Sequence, residues 1–113
     1  MSEIISLTRN YEFQRLYKKG VSVPTPPLVL YCSRNRLGVN RLGITVSKKI
    51  GKACVRNRAK RKLKEAYRLC AWDFKTGYDI VLVARTRTAD EKFDTIKRAL
   101  VSAAKKAEIL EAK

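Results

Sequence analysis

KKIGKACVRNRAKRKLKEAYR, residues 48–68, is the stretch that decides the architecture. It carries ten basic residues against one acid, Glu65, so nine of the chain's sixteen net positive charges lie in these 21 positions. From about Ala53 to Ala71, Val55, Ala59, Leu63, Ala66 and Cys70 recur at helical spacing, which predicts a helix over about 53–71 with one apolar face. At ~100° per residue, Asn57, Lys60, Arg61, Lys64 and Arg68 fall opposite that face, with Arg56 and Arg58 flanking them.

A helix content in water would not be written this way. Arg56, Lys60, Lys64 and Arg68 form a like-charge ladder at i, i+4, each pair costing about 0.2–0.5 kcal/mol. Glu65 offers relief only to Arg61 at that spacing. The approach and first turn hold Lys48, Lys49, Lys52 and Arg56 where a free helix favours acids. Gly51 is the expected cap, and glycine caps less well than Ser or Asp. Helix N-termini and Lys/Arg both attract phosphate, so the pattern points to a polyanion.

Working outward, 113 residues make one domain, 1–113, with 45% apolar content and 26 Lys+Arg against 10 Asp+Glu. A sequence pI of about 10.2 agrees with a polyanionic partner. No apolar run approaches the ~18 residues of a membrane span, and the N-terminus lacks the pattern of a secretory signal. The basic helix has no Trp/Phe belt for a membrane surface, and Trp72 and Phe74 are expected in the core. Cys32, Cys54 and Cys70 are odd in number and share no CxxC, and the chain has no histidine. They read as reduced, mostly buried thiols in a cytoplasmic protein.

Ser6–Lys19 is predicted as a first helix, capped by Asn10, with Glu12 in its first turn and Gly20 as the residue that stops it. Phe13 and Tyr17 lie four apart on it. Residues 21–27 form an extended connector pinned by Pro24, Pro26 and Pro27. Leu28–Ser33 is a strand, residues 34–40 a hairpin turn, and Arg41–Ser47 a second strand. There Leu42, Ile44 and Val46 face the core, while Gly43, Thr45 and Ser47 leave a shallow face over which Tyr31 can stand. Tyr78–Ala84 reads as a central strand buried on both faces. A last helix runs from Glu91 to about Ala107, begun by Thr88 or Asp90, with a fraying tail. The order α-β-β-α-β-α, with the basic helix joining two strands able to pair in parallel, makes an α+β sandwich.

Catalysis by this chain's own side chains is not expected: the acids are scattered, and no Cys/His pair or phosphate-binding Gly-rich loop of Walker type is present. A cationic track with separated aromatics suits single-stranded nucleic acid, phosphates along the charges and bases on the rings. Phe13, Tyr17 and Tyr31 are the candidate rings, and the ladder itself also suits duplex RNA. A ribosomal protein or RNA chaperone, or a charge-driven binder of DNA or anionic lipid, are the competing readings.

Arg56-Asn57-Arg58-Ala59-Lys60-Arg61 resembles the RNR signature of the bacterial ribonuclease P protein family, and the flanks RLGITVSKKIGKA, LKEAYR, YEFQRLYKKG and YDIVLVAR agree. The resemblance covers essentially the whole chain. It implies a ribosomal protein S5 domain 2-like fold with a left-handed βαβ crossover, where general handedness favours the right-handed one. It implies the protein subunit of an endoribonuclease whose RNA subunit cleaves the 5′ leader from precursor tRNA with Mg²⁺, the ion held mainly by RNA. Phe13, Tyr17 and Tyr31, with Thr45 and Ser47, match the cleft that receives the single-stranded leader. Tyr17 stands where Phe is common. Lys49, Arg56, Asn57, Lys60 and Arg61 match signature positions near leader phosphates, metal and catalytic RNA. Arg58 and Lys64 are RNA contacts or buried supports, and Lys48, Lys52 and Arg68 complete the phosphate-binding set. A monomer in a 1:1 complex with ribonuclease P RNA is implied.

Overall fold

The computed structural model describes residues 4–110. In chain order the elements are β1 (Ile5–Ser6), α1 (Asn10–Lys19), β2 (Val21–Pro24), β3 (Leu28–Arg34), β4 (Arg41–Thr45), α2 (Ala53–Cys70), β5 (Tyr78–Ala84) and α3 (Phe93–Lys106), with single 3-10 turns at Lys48–Ile50 and Ala71–Asp73. The expected α-β-β-α-β-α order stands, with two short edge strands added. One sheet has the order β1-β4-β5-β3-β2. β4 pairs in parallel with β5 across α2, and β3 is antiparallel to β5 and β2.

The apolar periodicity of α2 becomes its buried face. Ala59, Leu63, Ala66 and Cys70 are buried, joined by Tyr67. They meet Leu28, Leu30, Ile80 and Leu82 on one side of the sheet, together with Ile96, Leu100 and Ala103 of α3. Placing this apolar surface out of water is the main stabilising term. Among the described residues the other side of the sheet is covered by the ten-residue α1 and the segment before it, where Leu16, Leu7 and Val81 form a smaller cluster. β5 is therefore buried on both faces through Leu82, as a central strand should be, while Val83 is only partly covered.

Several expected boundaries move. The first helix begins at Asn10 rather than Ser6, because Ile5 and Ser6 pair with Arg41 and Leu42 instead. Arg9, not Asn10, is the N-cap, and its backbone N–H donates to Glu12 Oε1 at 3.1 Å, half of a capping box. Gly20 has φ −78°, so it does not stop α1 by a left-handed turn. A Cβ there would lie 2.6 Å from the Leu16 carbonyl and 2.9 Å from that of Cys32, so close packing demands the glycine. The connector contains edge strand β2, whose Pro24 sits at its end, where a missing N–H is tolerated.

Later elements shift less. β4 ends at Thr45, and α3 starts at Phe93 with Lys92 as its N-cap. Thr88 does not start α3; its hydroxyl donates to the Pro27 carbonyl and accepts from the Arg85 N–H. The tail is docked rather than frayed as far as Leu110. Ile109 is buried, Leu110 bridges Phe74, and the Lys75 N–H donates to the Ile109 carbonyl at 2.7 Å. The expected fraying of residues 111–113 lies outside the described residues. Phe74 is core, but Trp72 is 67% exposed, contrary to expectation.

Candidate nucleic-acid interface

β4 alternates core and open positions, and its open side builds half of the surface. Tyr31, Val81 and Gly43 stand in one cross-strand row; Val29, Val83 and Thr45 stand in the next. Over these rows α1 lowers Phe13 and Tyr17, four residues apart and so on one side of the helix. The Phe13 ring occupies the space above Gly43, where a Cβ would lie 2.5 Å from its Cε1. Tyr17 and Thr45 share a hydroxyl hydrogen bond of 2.7 Å. The Tyr17 and Tyr31 rings meet edge to face at 5.0 Å and 71°, a favoured aromatic geometry. All three rings are half-buried, seated on the sheet with the remainder facing water.

Phe13, Tyr17, Tyr31 and Thr45 are thus brought together. Ser47 is not, because the strand ends two residues earlier and Ser47 is an exposed residue leading the 3-10 turn. The expectation that Ser47 lines the sheet face is corrected accordingly.

β4 runs directly from Thr45 into the cationic segment. Lys48, Lys49 and Lys52 are exposed, and Lys52 is the N-cap of α2 without a side-chain cap hydrogen bond. Gly51, the expected cap, precedes it at φ +147°, a conformation that favours glycine. No acid stands in the first turn of α2, so its N–H groups and the lysines present positive potential together. Asn57, Lys60, Arg61 and Lys64 are exposed, and Arg56 is half-embedded, its Nε buried without a hydrogen-bond partner among the described residues.

Three cations of α2, Arg58, Lys62 and Arg68, are engaged within the chain. Arg68 grips Glu65 through Nε–Oε1 at 2.9 Å and Nη2–Oε2 at 2.5 Å, so Glu65 relieves Arg68 rather than Arg61. This bond, with the charge behind it, holds the Glu65 carboxyl below its usual range. Arg58 stands 3.6 Å from Asp90, an exposed pair of little energetic weight. Lys62 turns inward, donating to the carbonyls of Ala89 and Glu91 at 2.6 and 2.7 Å.

A buried ionic network supports the aromatic surface. Arg41 binds Asp79 through two bonds of 2.8 Å and Glu12 through one of 2.7 Å, and the Asn35 amide donates to Asp79 at 2.8 Å. Burial would raise both carboxyls, but for Glu12 the Arg9 N–H and the Arg41 guanidinium outweigh it, and for Asp79 Arg41 and Asn35 do. Both stay below the ordinary carboxylate range. The network fastens the residue before Phe13 to the strand that carries Gly43. Sequence reading missed it. The one available signal was Asp79, a carboxylate inside an otherwise apolar strand.

Among the described residues no three His, Cys, Asp or Glu side chains stand together as a metal site. The donor set around the basic helix is cationic and does not fit a protein-held Mg²⁺. Cys32 and Cys70 are buried free thiols, and burial pushes Cys32 up to about 11; Cys54 is exposed. Among the described residues no helix is long and apolar enough to cross a membrane.

Fold and surface together define a class: a small α+β protein that presents a cationic helix beside half-open aromatic rings on a sheet. Residues 1–108 match the family model described as Ribonuclease P. The chain is 46% identical over 104 residues to the ribonuclease P protein component of Clostridium botulinum (strain 657 / Type Ba4), covering 91% of this chain and 94% of the relative. Its fold is similar to the RNase P protein of Staphylococcus aureus, with a TM-score of 0.84, 34% identity, and coverage of 96% and 100%. It is likewise similar to the RNase P protein of Thermotoga maritima, with a TM-score of 0.77, 29% identity, and coverage of 93% and 97%. The chain belongs to the ribonuclease P protein family, whose members partner with ribonuclease P RNA in tRNA 5′ processing.

Proposed function

We propose that this chain binds the single-stranded 5′ leader of precursor tRNA on its aromatic surface while α2 and the turn before it engage phosphates of leader and catalytic RNA. The observation that carries the reading is the row formed by Phe13, Tyr17 and Tyr31. Phe13 is seated on Gly43, Tyr17 is bonded to Thr45 and meets Tyr31 edge to face, and the three half-exposed rings are continuous through β4 with residues 48–61. Rings fixed in this way lose little freedom when a base stacks on them. The flanking cations neutralise the backbone and release its counterions.

Within this reading the RNA subunit performs the cleavage and Mg²⁺ is held by RNA and substrate. The protein's own residues bind and orient the leader. The complex is 1:1 and cytoplasmic. Reconstitution tests it: adding the chain to a bacterial ribonuclease P RNA at low Mg²⁺ should accelerate 5′ cleavage of precursor tRNA. No acceleration, with protein bound to the RNA, would rule the reading out.

A further inference from the structure

Among the described residues Trp72 is the most exposed large hydrophobic side chain, at 67%. Its position is continuous with the basic helix. It follows Arg68 by four residues and Arg61 by eleven, just over three helical turns, so it prolongs the cationic stripe. The 3-10 turn Ala71–Asp73 continues directly from α2. Beside it lies a groove of about 510 Å³ bordered by Trp72, Arg68, Tyr67, Phe74, Val39 and Ile5. Exposed apolar surface of this kind marks a contact site.

We propose that Trp72 and this groove receive an unpaired nucleobase of the RNA partner, at the far end of α2 from the aromatic rings of α1. The proposal rests on the RNA-binding reading above. Charge decides the occupant. A second copy of a chain carrying +16 would be repelled, and an apolar peptide would leave the exposed Lys64 and Arg61, about two and three helical turns before Trp72 along α2, without counter-charge. A nucleotide satisfies both parts, its base on the indole face and its phosphates along the ladder.

Trp72 is the single tryptophan of the chain, so its emission reports on this site alone. The full chain is titrated with ribonuclease P RNA, with emission and filter retention followed in parallel. Saturating RNA should quench the emission. Trp72→Ala should weaken RNA binding about 5- to 150-fold without changing the slope of log affinity against log salt, and Trp72→Phe should restore most of the loss. Because the side chain is largely exposed, Trp72→Ala should keep the wild-type circular dichroism and melt.

Unchanged emission with RNA retained, or wild-type affinity for Trp72→Ala, would overturn the site. So would a concentration-dependent dimer that Trp72→Ala abolishes without RNA, which would assign the groove to a second copy. If the wild-type chain is not retained by RNA at all, the RNA-binding reading falls and this site with it.

Discussion

The Phe13 ring fills the volume that any side chain at Gly43 would require, with Cε1 2.5 Å from the position of a Cβ. The glycine of β4 is therefore the seat of the aromatic surface. It sits two residues after Arg41, which is bonded to Glu12 beside Phe13.

Gly43→Val should displace Phe13 and overpack the junction of α1 and sheet. A loss of about 1–3 kcal/mol is expected from thermal or urea unfolding. Binding of precursor tRNA should weaken more than binding of mature tRNA, since only the precursor carries a leader. A variant with unchanged stability would show that the ring is not held there.

Phe13→Ala should cost precursor binding about 1–3 kcal/mol, the worth of one stacked base, and leave mature tRNA nearly unaffected. Equal losses for the two ligands would remove the leader from this surface.

Lys60→Ala should flatten the dependence of log affinity on log salt by about 0.7–0.9, one phosphate contact. Arg56→Ala should do the same with some loss of stability, because its stem is half-embedded. Arg68→Ala should change the slope less, since its guanidinium already grips Glu65. Identical slope changes at 60 and 68 would contradict this ranking.

Arg41→Ala should leave two buried carboxylates unpaired and cost about 3–5 kcal/mol. Glu12 and Asp79 are held below their unfolded values. Their contribution is thus fully present above about pH 5, where the unfolded groups are ionised, and is lost as pH falls through the lower folded values. Wild-type stability should drop steeply below that pH, and a variant with Glu12→Gln and Asp79→Asn should lose much of the slope. Parallel acid-unfolding curves would exclude the network as the cause.

The buried face of α2 was legible in the sequence because helical spacing and water exclusion are local facts: Ala59, Leu63, Ala66 and Cys70 had one place to go. Strand β5 and its double burial were legible for the same reason, from an unbroken apolar run. Tertiary structure alone decided what depends on distant partners. Residues 5–6 and 21–24 became strands because sheet edges were there to pair with. Glu65 chose Arg68 over Arg61, and Arg41 drew together two acids, 29 residues before and 38 after it. Trp72 stayed in water although its hydrophobicity argued for the core, because the chain turned just before it and buried Phe74 instead. Periodicity fixes which face of an element seeks the interior; only three-dimensional closure fixes which side chains find each other across it.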